Sequence, residues 1–277
     1  MKYTKASYIQ SVLHENGFSP LKQFGQNFLI DDNIVKQICD VSDIENKNIV
    51  EIGPGLGGLT SYMIKSAKKV VAIEIDNGFY AHLTKEFSDQ ENLKIINNDV
   101  LEIDIKTCCE TEFGDEEFIL VANLPYYITT ACIMKFLTAN INIKRMVVMM
   151  QKEVARRLCA EAGSKEYGSL SAIISYFGDA SSKITVSGNC FYPMPDVDSC
   201  VVKLEIKNKP SKESQIYIDF VRSCFKMKRK TLFNNLKQAG YPKEMILDAF
   251  ISANIDEKIR AEKLCDKNFK DLIKALT

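Results

Sequence analysis

Histidine and tryptophan are nearly absent from this chain of 277 residues, which has two histidines and no tryptophan. His14 and His82 lie far apart in ordinary polar contexts, so a histidine-based triad or a histidine-ligated zinc site would lack residues. The nine cysteines include no CxxC pair, and we expect them to be reduced and mostly buried. The sequence therefore predicts an activity that uses neither a metal nor histidine chemistry.

Long apolar runs are also lacking. No stretch approaches the roughly 18 uncharged apolar residues of a membrane span, and the first residues contain no apolar signal segment. With 46% hydrophobic residues, the chain can still bury a large core. We therefore predict a cytoplasmic globular protein that has no membrane partner, and no obligatory protein partner is evident.

The chain also lacks an excess of either charge, because 36 basic residues balance 36 acidic ones. The balance hides an asymmetry, since the segment from Lys203 onwards has 17 Lys and Arg against 10 Asp and Glu, a net charge of +7. The preceding residues have the opposite net charge. A basic C-terminal part is the natural place for contact with phosphates, although a solvated lysine-rich helical surface has the same composition.

Short apolar runs recur along the first half of the chain, and segments that can form helices separate several of them. This alternation predicts a parallel sheet covered on both faces. Two later runs, 184–187 and 199–206, predict an antiparallel pair at the sheet edge. Beyond residue 208 the periodicity is helical, so we predict one domain over 1–207 and a second over 208–277. The predicted parallel strands are 48–52, 69–73, 93–96, 118–121 and 145–150, with helices over 59–65 and 77–87.

A glycine-rich turn follows the first predicted strand and contains Gly53, Gly55 and Gly58. Such glycines let the backbone approach a ligand closely at the carboxyl ends of parallel strands. Their spacing also satisfies the dinucleotide pattern GxGxxG. An NAD-dependent enzyme is therefore one open interpretation.

Polar residues also follow the next three strands. Glu74 is suited to binding ribose hydroxyls, Asp99 to binding an adenine amino group, and Asn123 lies at the end of the fourth strand. A single acid at a strand end is more often a cap or a turn residue. Four successive polar strand ends can line one pocket, and together they favour a methyl-donor site.

The segment Asn123-Leu124-Pro125-Tyr126 combines an amide, a proline and an aromatic ring directly after a buried strand. The Asn123 oxygen and the Leu124 carbonyl can accept the two hydrogens of an exocyclic amino group, while Pro125 shapes the turn. Tyr126 offers a stacking face to a nucleobase. This turn can therefore hold the exocyclic amino group of a nucleobase, although turns after strands are often rich in asparagine and proline for structural reasons alone.

These motifs resemble the small-subunit rRNA dimethyladenosine transferases of the KsgA type, a family of S-adenosylmethionine-dependent methyltransferases. The resemblance runs almost end to end. It rests on Gln23-Phe24-Gly25-Gln26-Asn27-Phe28-Leu29, on the loop 51–60, Glu74, Asp99 and 123–126, on Phe191-Tyr192-Pro193 with Val197-Asp198-Ser199, and on the stretches 229–232, 234–236 and 260–264.

The resemblance implies a Rossmann-like α/β methyltransferase domain, with an N-terminal lid segment and a mostly parallel sheet, followed by a small all-α domain. It implies dimethylation of N6 on two adjacent adenosines near the 3′ end of 16S rRNA, within a pre-30S particle, with S-adenosylmethionine as donor and no metal. The implied donor-binding residues are Asn27, Leu29, Gly53, Glu74, Asp99 and Asn123. Phe191 is a second candidate for stacking on the flipped base, after Tyr126.

For RNA contact we favour four basic residues in a probable helix of the second domain, Lys226, Lys228, Arg229 and Lys230, with Arg156 and Arg157 as a second candidate. Two alternatives share the resemblance: a large-subunit adenine methyltransferase of the macrolide-resistance type, and a ribosome-assembly factor in which methylation is secondary. The NAD interpretation does not account for the segment 123–126 or for the basic C-terminal part.

Overall fold

The computed structural model describes residues 2–17 and 27–276. The described residues of Met1–Ala155 and Ser181–Ile206 form one compact unit, here the sheet unit. Those of Arg156–Ala180 and Lys207–Thr277 form a second, here the helical unit. In these ranges no helix is both long and apolar enough to cross a membrane.

A mixed sheet with the strand order β4-β3-β2-β5-β6-β9-β7 organises the sheet unit. Strands β2 to β6 pair in parallel and β9 is antiparallel to β6, which confirms the predicted mostly parallel sheet. All five residues of β2 are buried, as expected for a strand covered on both faces. The strands are β2 (Asn48–Ile52), β3 (Lys69–Glu74), β4 (Leu93–Asn97), β5 (Phe118–Asn123), β6 (Ile143–Gln151), β7 (Gly178–Val186) and β9 (Ser199–Ile206).

Aspartates begin three helices of the sheet unit. The Asp76 carboxylate accepts from the backbone N–H groups of Gly78 and Phe79, at 2.8 and 3.0 Å, and so caps α4. Asp31 and Asp104 cap α2 and α5 in the same way. The helices are α1 (Ala6–Glu15), α2 (Asp32–Ser42), α3 (Thr60–Met63), α4 (Asn77–Glu86), α5 (Ile105–Phe113) and α6 (Thr129–Thr138), and a 3-10 turn spans Lys2–Thr4.

The point where the strand order reverses indicates where the sheet can bind a ligand. From β2 the chain adds β3 and β4 on one side and then returns to place β5 on the other side of β2. Open α/β sheets bind ligands at the carboxyl ends of the two strands beside such a switch. Ile52 pairs with Ala122 in the β2–β5 register. Gly53 and Asn123, the next residue on each side, therefore lie beside each other at this switch point.

A separate two-stranded pairing fixes the N-terminal segment of the sheet unit. Strand β1 (Phe28–Leu29) is antiparallel to β8 (Phe191–Tyr192), with Phe28 opposite Tyr192 and Leu29 opposite Phe191. The predicted motif residues 23–26 lie outside the described residues.

The helical unit includes residues 156–180, which the sequence analysis had placed in the first domain. The reason is aromatic packing: the rings of Tyr176 and Tyr217 stack at 4.3 Å, and the Tyr217 hydroxyl donates to the Ala172 carbonyl. Following α7 (Lys152–Leu158), the helices are α8 (Ser169–Phe177), α9 (Lys212–Cys224), α10 (Leu232–Gln238), α11 (Lys243–Ser252) and α12 (Asp266–Leu276).

Candidate functional site

One pocket of the sheet unit lies at the carboxyl ends of the parallel strands. Its lining includes residues that directly follow or end β2, β3, β4 and β5, together with Asn27 and Leu29 from the N-terminal segment. The structure thus brings together every predicted donor-binding residue: Asn27, Leu29, Gly53, Glu74, Asp99 and Asn123.

The glycine-rich turn forms the pocket wall after β2. Gly53 and Gly55 both have positive φ angles, 64° and 58°, a conformation that other residues adopt at a cost. A Cβ atom at Gly53 would meet no atom within 4 Å, whereas one at Gly55 would lie 3.1 Å from Cε1 of Phe28. The backbone at Gly53 is therefore open to a ligand, and Gly55 lets the N-terminal segment pack onto the turn. A third positive φ, of 83°, is at Gly57. A Cβ atom on Gly58 would lie 3.9 Å from the Leu29 carbonyl oxygen, so the close packing that the third glycine of GxGxxG permits is not found there.

Glu74 ends β3 as a buried carboxylate inside this pocket. Its two oxygens accept from the backbone N–H groups of Gly55, at 3.0 Å, and Asp76, at 2.9 Å. Burial raises the pKa of Glu74 to about 7, although both of these hydrogen bonds favour its charged form. The carboxylate therefore joins the glycine turn to the start of α4 and retains lone pairs for a ligand.

A second buried acid, Glu51, lies on the neighbouring strand β2 and also lines the pocket. It accepts a hydrogen bond from the Thr60 hydroxyl at 2.6 Å, which joins the strand to the first turn of α3. Burial raises the pKa of Glu51 to about 8, with the charge of Glu74 as a further contribution. Burial therefore favours the protonated form of Glu51.

Asp99 follows β4 with its two carboxylate oxygens in different environments. Oδ1 accepts from the Leu101 backbone N–H at 2.8 Å, which fixes the side chain in a turn. Among the described residues no hydrogen bond to Oδ2 is found, and Asp99 lines the pocket. A carboxylate held at one oxygen can accept from an exocyclic amino group with the other.

Asn123 is oriented by its amide nitrogen. Its Nδ2 donates to the Asn27 backbone carbonyl at 3.1 Å, across the pocket from the N-terminal segment. Among the described residues no hydrogen bond to its Oδ1 is found, so this oxygen remains an acceptor. The backbone carbonyl groups of the next two residues also differ in whether they are occupied. That of Pro125 accepts from Ile128 N–H and Thr129 Oγ1, whereas that of Leu124 accepts from no backbone donor among the described residues.

Tyr126 follows in the turn, and its hydroxyl lies 3.1 Å from the Ser199 hydroxyl at the start of β9. This hydrogen bond fixes one end of the ring, which lines the pocket. Phe191 is placed differently. It is only 3% exposed and packs in the core with Leu29 and Val35, outside the pocket lining, because its partner in the β1–β8 register is the inward-facing Leu29. The structure thus brings Tyr126, and not Phe191, to the pocket.

Several pocket residues, among them Tyr3, Ile75 and Tyr127, are not among the site residues predicted from the sequence. Tyr3 reaches the pocket from the N-terminal 3-10 turn, Ile75 follows Glu74, and Tyr127, 58% exposed, follows Tyr126. Ile75 and Tyr127 each directly follow a predicted site residue, and this position in the sequence could have identified them as pocket residues. Nothing in the local sequence of Tyr3 indicates the pocket.

The four basic residues of the helical unit, Lys226, Lys228, Arg229 and Lys230, are exposed in a loop between α9 and α10, so the prediction that they lie in a helix is wrong. The helix is interrupted because the buried Asn235 side chain binds the backbone at Met227, accepting from its N–H at 2.8 Å and donating to its carbonyl at 3.2 Å. This loop, residues 225–230, is here the basic loop.

Arg156 and Arg157, the second candidate for RNA contact, are exposed on α7.

The stretch 260–264, part of the family resemblance, has a structural role in the helical unit. The Glu262 carbonyl accepts from Gly163 N–H at 2.7 Å, and the Leu264 carbonyl accepts from the Tyr167 hydroxyl at 2.9 Å. Its resemblance therefore reflects the packing of the helical unit around residues 163–167.

Comparisons with known proteins match this arrangement. A sequence model of the family described as "Ribosomal RNA adenine dimethylase" matches residues 17–277. The chain is 44% identical over 278 residues to the ribosomal RNA small subunit methyltransferase A of Lysinibacillus sphaericus, covering 96% of this chain and 94% of that protein. It is 40% identical to the protein of the same name from Clostridium perfringens, covering 96% and 94%.

Solved structures give the same fold. A dimethyladenosine transferase from Plasmodium falciparum superposes with a TM-score of 0.75 at 27% identity, covering 88% of this chain and 95% of that one. The 23S rRNA methyltransferase ErmE superposes with a TM-score of 0.70 at 23% identity, covering 90% and 99%, which bears on the fold alone. The predicted Rossmann-like methyltransferase fold is confirmed.

Proposed function

Since the chain belongs to the ribosomal RNA adenine dimethylase family, we propose that it transfers methyl groups from S-adenosylmethionine to N6 of two adjacent adenosines near the 3′ end of small-subunit rRNA. The relatives at 40 to 44% identity, which are named for the small subunit, support this choice of rRNA. The substrate we propose is the rRNA within a pre-30S particle, late in ribosome biogenesis and in the cytoplasm.

The observation that carries the proposal is the position of Asn123 in the same pocket as Glu74 and Gly53. The residues fit an adenosyl donor: Glu74 is a buried acceptor for the ribose hydroxyls, Asp99 keeps one oxygen for the adenine amino group, and Gly53 faces open space. When bound, S-adenosylmethionine supplies an electrophilic methyl group on its sulfonium sulfur. Asn27 and Leu29 close the pocket from the N-terminal segment.

Asn123 and Leu124 orient the target nitrogen. The N6 lone pair of adenine is delocalised into the ring, so the nitrogen is a poor nucleophile until its hydrogens are held out of the ring plane. The Asn123 Oδ1 and the Leu124 carbonyl accept these two hydrogens, and the lone pair then points at the methyl group. After the first transfer the nitrogen loses one proton to solvent and keeps one hydrogen. In the second transfer the lone pair of the same nitrogen takes a methyl group from a second donor molecule, and the last proton is then lost.

The target base must leave its stack to reach this turn, which costs stacking energy. The Tyr126 ring, fixed through Ser199, offers a replacement face. No strong base is needed in this mechanism, in keeping with the two histidines of the chain.

The test is the substitution Asn123→Ala. Because it removes one of two acceptors for the amino group, we expect the rate of methyl transfer to fall by about 10²- to 10³-fold. Binding of S-adenosylhomocysteine, measured by calorimetry without RNA, should stay measurable and weaken by no more than about tenfold, because the other donor-binding residues are unchanged. Asn33→Ala, at an exposed position on α2, is the matched control and should leave both quantities unchanged.

Substantial residual transfer by the Asn123→Ala variant would contradict the proposed role of the amide. The choice of substrate is tested separately, by offering labelled methyl donor with undermethylated small or large ribosomal subunits. Label in the large-subunit rRNA would instead support the macrolide-resistance type of activity. Mapping the labelled nucleotides identifies the two adenosines, and assembly without any methylation by the wild-type protein would favour the assembly-factor alternative.

A further inference from the structure

The N-terminal 3-10 turn, Lys2–Thr4, reaches the donor pocket although it is distant in sequence from every motif that builds that pocket. Tyr3 is part of the pocket lining, together with the glycine turn and Asn27. Its neighbour Thr4 is 3% exposed, and its methyl group lies 4.0 Å from the position of a Cβ atom on Gly58. The turn therefore lies against the end of the glycine turn that leads into α3.

Glu86, at the end of α4, holds Tyr3 in this position. The Tyr3 hydroxyl donates to Glu86 Oε1 at 2.9 Å, and the Lys2 ammonium group donates to the same oxygen. These hydrogen bonds and the Lys2 charge lower the pKa of Glu86, so the carboxylate is charged when it accepts them. A charged acceptor with two donors is a stronger tether than a neutral one.

The Tyr3 ring is also held by aromatic packing. It lies 5.1 Å from the Phe87 ring, centroid to centroid, and Tyr8 packs against it edge-on at 5.5 Å. Phe87 in turn occupies the space beside Gly57, where a Cβ atom would come within 2.7 Å of its ring. Tyr3, Phe87 and the glycine turn thus form one continuous stack, and α4 connects this stack to the segment that follows Glu74.

We propose that Tyr3 is a donor-binding residue and that Glu86 is a positioning residue for it, so that the first turn of the chain is a wall of the methyl-donor pocket. The contact made by Tyr3 is with the part of the donor that lies against the glycine turn, since the adenine acceptor Asp99 belongs to a different strand end. This inference rests on the proposed function, because it takes S-adenosylmethionine as the ligand.

The test compares two tyrosines of the same N-terminal region. Tyr8 also packs against Tyr3, and its hydroxyl lies 3.5 Å from His82 Nε2, but it is not part of the pocket lining. We expect Tyr3→Ala to weaken binding of S-adenosylhomocysteine about tenfold, the loss expected for an aromatic contact with a ligand. Tyr8→Ala removes only a neighbour of the Tyr3 ring and should weaken binding by no more than about threefold. Thermal unfolding of both variants measures any general loss of stability.

Two milder substitutions address the hydrogen bond itself and keep the ring. Tyr3→Phe and Glu86→Gln should each weaken binding by about two- to fivefold, and the double variant should weaken it no more than either alone, because both remove the same interaction. Tyr8→Phe is the matched control. The methyl-transfer KM for the donor should rise in parallel, with kcat unchanged.

Unchanged affinity in Tyr3→Ala, or an equal loss in Tyr3→Ala and Tyr8→Ala, would overturn the inference while leaving the proposed function intact. Additive losses in the double variant would overturn the role of Glu86. Failure of the wild-type protein to bind S-adenosylhomocysteine would instead overturn the donor pocket as a whole, and this wall with it.

Discussion

Asn123 uses the two ends of its amide differently. Its nitrogen donates to the Asn27 carbonyl at 3.1 Å, which fixes the side chain and directs its oxygen into the pocket. An amide held at one end loses little conformational entropy when the other end binds a ligand. The same hydrogen bond joins the turn 123–126 to the N-terminal segment at Asn27. A displaced Asn27 would therefore misplace the Asn123 oxygen, the acceptor that we propose for the target amine.

Glu74 is expected to make binding of the proposed donor depend on pH. Burial raises its pKa from 4.5 to about 7, so a large fraction is protonated at pH 6. Ribose hydroxyls that donate to the carboxylate favour its charged form, so binding releases a proton below the pKa. We expect affinity for S-adenosylhomocysteine to rise between about pH 6 and pH 8, by at most about tenfold per pH unit, and to level off above the pKa.

Calorimetry across this pH range, in buffers of different ionisation enthalpy, measures both the affinity and the released proton. Glu74→Gln should bind more weakly and show no such pH dependence. Glu116→Gln changes an exposed acid outside the pocket and is the control. A wild-type affinity that is flat with pH would show that Glu74 is already ionised before the donor binds.

At the scale of elements, the glycine turn packs directly against α4 and the residue that follows it, Phe87. Gly57 has a φ of 83°, and a Cβ atom there would lie 2.7 Å from the Phe87 ring. We therefore expect Gly57→Ala to lower the free energy of unfolding by about 3 kcal/mol, from backbone strain and overpacking together. Urea unfolding of the purified protein measures this loss.

Gly114 separates the two contributions. It ends α5 with a φ of 61°, and a Cβ atom there would meet nothing within 4 Å. With a ψ of −131°, Gly114 lies outside the left-handed helical region, so Gly114→Ala should cost only backbone strain, about 1 to 3 kcal/mol. Equal losses in the two variants would mean that Phe87 moves freely out of the way, and that the stack with Tyr3 is not rigid.

The strands and the strand-end residues could be predicted from the sequence because each strand is a short apolar run with polar or glycine neighbours. Strand β2 has the predicted bounds of 48–52, and Gly53, Glu74, Asp99 and Asn123 all line one pocket. Other features depend on contacts that no local pattern encodes. The basic loop interrupts a helical pattern because of the Asn235 side chain, and Tyr3 joins the pocket through Glu86.

At the scale of the whole molecule, the opposite net charges of the two parts of the chain matter for RNA binding. The four basic residues of the basic loop are exposed, and the described residues offer them no ion pair. Their positive charge is therefore available for phosphates. Each phosphate that they neutralise adds about 0.7 to 0.9 to the slope of log affinity against log salt concentration.

The double substitution Lys228→Gln with Arg229→Gln tests this assignment. We expect it to weaken binding of small-subunit rRNA and to reduce the salt slope by about 1 to 2, the value for two lost phosphate contacts. Anisotropy titrations at several salt concentrations measure the slope.

The charge-matched control is Lys267→Gln with Lys274→Gln on α12, where Lys267 is paired with Asp271. It removes the same net charge from the helical unit at a different place. Equal changes of slope in the two double variants would assign RNA binding to the net charge of the unit and not to the basic loop.

The pairing of β1 with β8 has a consequence for the order in which the pocket is made. Asn27 and Leu29 are in place only when residues 191–192 are there to pair with residues 28–29, and Asn123 in turn holds its orientation through Asn27. During synthesis the glycine turn and Glu74 leave the ribosome early, but the wall that faces them is assembled from the two ends of the sheet unit. A nascent chain can therefore complete this pocket only after nearly all of that unit has been made.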